Sequence, residues 1–126
     1  MLPHHFWHSL AFSGDYWCNL RVLTEEDPRQ EPLEDILQMM ADSCVSKGGV
    51  ELESFWRVPD RGRAIYMALE LVESPDDLVL ICGKGHEQSM CFMTTEFPWD
   101  DRDATRSALR AFLGGKQMAN LGLPTY

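Results

Sequence analysis

The sequence predicts an α/β fold, a mostly parallel sheet flanked by helices. Three observations carry it. Short β-type runs alternate with amphipathic helical stretches in the order strand, helix, strand, helix, strand. The run Leu78-Val79-Leu80-Ile81-Cys82 is apolar at every position and bounded by turn residues, as expected of a strand buried on both faces. The chain's 126 residues, 44% hydrophobic and 25% charged, suffice for one domain with a real core. Right-handed crossovers are the default. No internal repeat is present.

The first nineteen residues carry little periodicity. Leu20-Arg21-Val22-Leu23-Thr24 reads as a short strand, ended by the turn-rich Glu26-Asp27-Pro28-Arg29. Pro32 suits the start of a helix. Leu33, Ile36, Leu37, Met40 and Cys44 then fall on one helical face, and Gly48-Gly49 stops it. Phe55 to Val58 is a second short strand. Asp60 is an N-cap for a helix whose apolar face is Ala64, Ile65, Ala68, Leu69 and Val72. Ser74-Pro75-Asp76-Asp77 turns the chain into the apolar run at 78–82. Met90 to Thr94 suggests another strand. Asp100 or Asp101 caps a last helix with Ala104, Ala108, Leu109, Phe112 and Leu113 inward, and Gly114-Gly115 ends it. The division expected is an atypical segment over 1–19, a domain over 20–115 and a loose tail over 116–126.

Acidic residues number 20 against 11 basic ones, giving a net charge of −9. Such a field repels phosphates, which argues against nucleic acid and against anionic membrane surfaces as partners. No apolar run approaches the ~20 residues needed to cross a bilayer. The N-terminus has neither a basic start nor an apolar stretch, so no signal peptide is read there. Cys18, Cys44, Cys82 and Cys91 fit neither C-x-x-C nor a compact disulfide framework. A reducing cytoplasm is the expected compartment. His4, His5 and His8 invite a metal reading, but no carboxylate or cysteine in that segment completes a usual ligand set, and no metal site is expected.

Three stretches carry chemistry. Gly83-Lys84-Gly85-His86-Glu87 follows the predicted buried strand, where open α/β sheets bind ligands. Its glycines allow close backbone approach, and Lys84, His86 and Glu87 add a cation, an imidazole and an anion. A tight connection between strands explains the glycines equally well. Glu26-Asp27-Pro28-Arg29 also follows a strand. Arg29 suits a carboxylate through paired hydrogen bonds and Asp27 suits an ammonium group, which together fit an amino acid. A polar turn with acidic residues before a helix is the alternative. Phe97-Pro98-Trp99-Asp100-Asp101-Arg102 reads as an aromatic anchor followed by an N-cap. Neither G-x-x-x-x-G-K-[ST] nor G-x-G-x-x-G occurs.

These stretches, in this order and spacing, resemble the C-terminal domain of the Mur ligases, and within them the tripeptide synthetase type. The family's strand ends in T-x-D-N-P-R followed by E-x-P. Here the residues are Thr24-Glu25-Glu26-Asp27-Pro28-Arg29-Gln30-Glu31-Pro32. Its D-R-x-x-A-I helix is matched by Asp60-Arg61-Gly62-Arg63-Ala64-Ile65. Its G-D-x-V-L-x-A-G-K-G-H-E stretch is matched by Asp77 to Glu87, and its D-D-R helix by Asp100-Asp101-Arg102. The resemblance covers roughly Leu20 to Leu113.

The resemblance implies a Rossmann-like domain, incomplete at its N-terminal edge. It implies a ligase of peptidoglycan precursor synthesis, and so a part in cell-wall growth, cell shape and division. In the family, ATP phosphorylates the carboxylate of a UDP-muramoyl peptide, and the amine of an amino acid (diaminopimelate or a lysine-like one) attacks the acyl phosphate. Carried over by position, the amino-acid-binding residues are Glu26, Asp27, Arg29, Gly83 and Glu87, with Lys84 and His86 as supporting groups. No catalytic residue is assigned. The family's D-N has become Glu26-Asp27, which replaces an amide by an acceptor-only carboxylate. The family's ATP-binding central domain, with its G-T-N-G-K-T loop, has no counterpart here. ATP and magnesium are therefore expected to be bound mainly by that missing domain, with a separate chain as one source of it, and the isolated chain is expected to be inactive. A non-catalytic amino-acid or peptide-binding module and a ligase-docking module are the alternatives. The resemblance also implies an uncovered strand edge or apolar face, which Met1 to Asn19 would cover or which would drive self-association.

Overall fold

The computed structural model describes residues 19–126. It is a small α/β domain: β1 (Arg21–Leu23), α1 (Leu33–Ser46), β2 (Phe55–Arg57), α2 (Arg61–Glu70), β3 (Ser89–Phe92), β4 (Thr95–Pro98) and α3 (Asp101–Leu113). β1 and β2 pair in parallel, with Arg21 opposite Phe55 and Leu23 opposite Arg57. α1 makes the crossover between them. β3 and β4 form an antiparallel hairpin with Ser89 opposite Pro98 and Phe92 opposite Thr95. Met93, at the tip, takes φ 57°.

The β1–α1–β2 unit follows its sequence signals closely. The carbonyl of Pro32 accepts from the amides of Asp35 and Ile36, so proline stands at the N-cap with no donor to lose. Ile36, Leu37, Met40, Ala41 and Cys44 are buried against Leu23 and Phe55, which is wholly buried. Gly48 at φ 89° ends the helix, a backbone conformation open to glycine at no steric cost. Gly49 then donates its amide to the carbonyl of Cys44.

α2 and α3 pack on each other to make a second core. The Asp60 side chain caps α2 by accepting from the Arg63 amide at 2.9 Å, and Asp100 caps α3 by accepting from Arg102 at 2.8 Å. Ile65, Leu69, Met90, Trp99, Ala104 and Ala108 fill the interior.

Four expectations need correction. Leu78–Cys82 is not a hydrogen-bonded strand. It is an extended connector whose Val79 and Ile81 pack on the second core while Leu78 and Leu80 are 86% and 66% exposed. A strand needs a neighbour that pairs its backbone groups, and among the described residues this segment forms no ladder. The sheet is therefore not mostly parallel: it is one parallel pair and one antiparallel hairpin. The apolar faces of the later helices are shorter than expected, since α2 ends at Glu70, leaving Val72 exposed beyond it, and Leu109, Phe112 and Leu113 of α3 are exposed.

The segment after Gly115 is not loose. Met118 and Leu123 are buried in the second core. Tyr66 Oη donates to the carbonyl of Lys116, and the Arg63 guanidinium lies 4.1 Å from the centre of the Tyr126 ring. A side chain on Gly62 would crowd Leu121 and Asp60, so this glycine admits the segment against α2. The expectations about His4, His5, His8 and Cys18, and about a cover formed by residues 1–19, lie outside the described residues, apart from Asn19.

Candidate functional site

β1 runs out into Thr24-Glu25-Glu26-Asp27-Pro28-Arg29, and the connector at 78–82 runs out into Gly83-Lys84-Gly85-His86-Glu87. The fold brings the two ends together. Gly83, at φ 108°, lies so close to Glu26 that an added Cβ would stand 3.3 Å from its Cγ. Any larger residue there would meet both strain and crowding.

One arginine ties the ends. Arg61, the first residue of α2, is 3% exposed. Its Nη1 donates to the Glu25 carbonyl at 2.9 Å and its Nη2 to the Cys82 carbonyl at 2.8 Å. Its Nε and Nη2 also hold both oxygens of Asp101 at 2.8 Å. Trp99 Nε1 adds a third bond to that carboxylate. Burial pushes Asp101 upward, but the bonds from Arg61 and Trp99 outweigh it and hold the carboxyl below its usual range. All of the Asp101 charge is thus met by fixed donors.

Around this hub the ionisable side chains are arranged unevenly. Lys84 is 2% exposed and donates through Nζ to Glu87 Oε2 at 2.8 Å, while Glu87 is half exposed. Glu26 is 6% exposed, and its Oε2 is buried with no hydrogen-bond partner among the described residues. Burial raises its pKa to about 7, opposed by the nearby Lys84 ammonium and aided by the Glu87 and Asp27 carboxylates. Glu25, its neighbour, points the other way. It is 1% exposed and accepts from the Arg61 amide and from Thr125 Oγ1 at 2.7 Å. Burial raises its pKa to about 7 as well.

Arg29 stands beyond Asp27. Its backbone is left-handed, φ 54°, and clasped by the hairpin: its amide donates to the Cys91 carbonyl at 2.9 Å, and its carbonyl accepts from the Met93 amide at 2.7 Å. Its Nε donates to Asp27 Oδ2 at 3.1 Å. The other Asp27 oxygen accepts from the Cys91 amide at 2.6 Å. His86 is exposed at the loop tip.

Of the residues singled out in the sequence, Glu26, Gly83, Lys84 and Glu87 therefore gather in one place, and Asp27 joins them electrostatically. Arg29 reaches the group through Asp27, and no contact between Arg29 and Glu87 occurs among the described residues. A cleft of about 410 Å³ opens beside the loop, lined by Ile81, Gly85, Asp101, Arg102, Thr105 and Arg106. Arg61 carries no sequence signal beyond its D-R-x-x-A-I match, and Asp101 none beyond an alternative N-cap and its D-D-R match. Their motifs were visible, but nothing in their spacing shows that they bond to each other. Thr125 had no signal at all.

No protein-family model matches the chain. Curated proteins do. It is 39% identical over 93 residues to a UDP-N-acetylmuramyl-tripeptide synthetase of Roseiflexus sp. (strain RS-1), covering 74% of this chain and 18% of that protein. It is 39% identical over 98 residues to the protein of the same name from Treponema pallidum, covering 77% and 17%. A UDP-N-acetylmuramoyl-L-alanyl-D-glutamate--2,6-diaminopimelate ligase of Halalkalibacterium halodurans is 33% identical over 94 residues, covering 75% and 18%. The matched stretch is thus less than a fifth of each relative's length. Over about three quarters of its own length, this chain matches a Mur ligase-like domain.

Proposed function

We propose that this chain is the C-terminal, amino-acid-binding portion of an ATP-dependent peptide ligase of peptidoglycan precursor synthesis, with a Rossmann-like ancestry. The observation that supports it most is the convergence of the Glu26–Arg29 and Gly83–Glu87 stretches, with a buried, unpartnered Glu26 oxygen between them. A buried acceptor without a donor is costly, and an ammonium group meets that cost. A carboxylate on the same ligand suits the Arg29 guanidinium. Glu26, Asp27, Arg29, Gly83 and Glu87 form the site, and Lys84 and His86 support it. The diaminopimelate in one relative's name has both kinds of group, as does a lysine-like amino acid.

The residues present do not fit ATP or magnesium. Lys84 is turned inward onto Glu87 instead of being presented to a phosphate. No group of three or more His, Cys, Asp or Glu among the described residues is arranged for a metal ion. Activation of the acceptor peptide's carboxylate is therefore assigned to other parts of a full-length ligase, and this domain's work is to bind and orient the incoming amine. Among the described residues no helix is long and apolar enough to cross a membrane.

The test is a pair of assays on the chain itself. Given ATP, magnesium, UDP-N-acetylmuramoyl-L-alanyl-D-glutamate and diaminopimelate, it should release no phosphate above background. In calorimetry, diaminopimelate should bind, and Arg29→Ala should abolish the signal. Phosphate release overturns the assignment of activation to another domain. Absence of binding overturns the site.

A further inference from the structure

The Glu26–Arg29 stretch contains a second carboxylate whose place in the site is of a different kind. Both Asp27 oxygens are occupied by the protein. Oδ1 accepts from the Cys91 amide at 2.6 Å and Oδ2 accepts from Arg29 Nε at 3.1 Å. Each Asp27 oxygen thus already serves a fixed donor of the protein. The arginine it holds is fixed at both ends, because the Arg29 backbone is clasped to Cys91 and Met93.

A guanidinium has two edges that can receive a carboxylate with two parallel bonds: Nε with one Nη, or Nη1 with Nη2. Asp27 takes the first edge. The Nη1–Nη2 edge makes no hydrogen bond among the described residues, and the Arg29 side chain is 45% exposed. We infer that Asp27 is the positioning residue of this site: it pins Arg29 by Nε so that a ligand carboxylate is received end-on by Nη1 and Nη2.

The chemistry of the position supports a carboxylate and no substitute of the same shape. Asparagine has one acceptor oxygen and a donor NH₂. With its oxygen on the Cys91 amide, its NH₂ would face the Arg29 Nε–H, donor against donor. Turned over, its NH₂ would face the Cys91 amide. Either way one of the two bonds is lost, and in the first arrangement Arg29 is released. The Asp27 side chain therefore joins the hairpin to the guanidinium in a single group, which asparagine cannot do.

For the identity of the ligand this inference rests on the amino-acid reading above; for the Asp27–Arg29 contact it does not. The experiment is nuclear magnetic resonance of the ¹⁵N-labelled full chain, reading the Arg29 Nε–H and the Cys91 amide, followed by titration with diaminopimelate. The unsubstituted chain should show an Arg29 Nε–H protected from solvent exchange. Asp27→Asn should lose that protection, keep the Cys91 amide protected, and bind diaminopimelate about tenfold more weakly as the ordering of Arg29 shifts to the binding step. A purely structural Asp27 would leave the Nε–H unchanged in Asp27→Asn, and that result overturns the inference. So does a lost Nε–H with unchanged affinity. If diaminopimelate binds neither protein while the Nε–H behaves as expected, the contact stands and the amino-acid reading fails. Should Asp27→Asn not fold, Arg29→Lys decides. One ammonium cannot serve Asp27 and present a second, end-on pair to the ligand, so affinity should fall about tenfold with the Cys91 amide intact. Undiminished affinity in Arg29→Lys overturns the inference.

Discussion

The two cores of this molecule are closed in different ways. The first, between α1 and the β1–β2 pair, is sealed by apolar contacts under a hydrogen-bonded parallel ladder, and Phe55 at its centre is wholly buried. The second, between α2 and α3, has along one side a connector with no ladder, and its continuity with β1 runs through the side chain of Arg61. A core closed by backbone pairing loses stability gradually, methylene by methylene. A core closed by one buried ion pair is sensitive at a single point, because breaking the pair strands a charge away from water.

The largest expected effect follows from that contrast. Arg61→Met removes the donors to Asp101, Glu25 and Cys82 together, and should cost roughly 3–5 kcal/mol, the range for breaking a buried pair. Against a total of about 5–15 kcal/mol for a domain, this is close to unfolding. Urea denaturation measures it, and a loss below about 1 kcal/mol would show that the ends are tied by something else. In the first core, Leu37→Ala should cost about 2–5 kcal/mol by cavity formation and leave the Arg29–Asp27 region unchanged.

The acidic pair at the end of β1 gives a prediction in pH. Glu25 and Glu26 have pKa values raised to about 7 by burial, from an ordinary value near 4.5. The folded state therefore binds protons more tightly than the unfolded one. Their stabilising contribution is fully present below about pH 4.5 and is lost as the pH rises through about 7, on the order of 3 kcal/mol for each group. The melting temperature should fall between pH 5 and pH 8. Glu25→Gln keeps an acceptor for Thr125 and should flatten part of that fall. A melting temperature that rises over the same interval contradicts the arrangement. The smallest effect is on the connector: Leu80→Ala, at a position 66% exposed, should change stability by no more than about 0.5 kcal/mol.

These contrasts explain how much of the molecule was legible beforehand. β1, α1 and β2 were readable because local signals and tertiary contacts agree there: Pro32 and Gly48 mark the helix ends, and the apolar spacing of Ile36, Leu37, Met40 and Cys44 faces the core that forms. Leu78–Cys82 misled because an apolar run reports a wish for burial and says nothing about whether a neighbouring strand is available. Val79 and Ile81 satisfy that wish on one face and Leu78 and Leu80 do not on the other. The segment after Gly115 was misread because its two anchors, Met118 and Leu123, have no periodicity to announce them. At the site, the loop residues were visible as motifs. The roles of Arg61 and Asp101 as a tie, and of Asp27 as a clamp, depend on hydrogen bonds across 40 and 64 positions of chain, which no local pattern contains.

One ligand is expected to meet the Glu26–Arg29 and Gly83–Glu87 stretches together. The most direct measurement is a map of backbone amide shifts in the full chain as diaminopimelate is added. Glu26, Asp27, Arg29, Gly83 and Glu87 should move together, with one affinity, and Arg29→Ala should remove the whole response. Shifts confined to one stretch, two affinities, or a response that survives Arg29→Ala would contradict it.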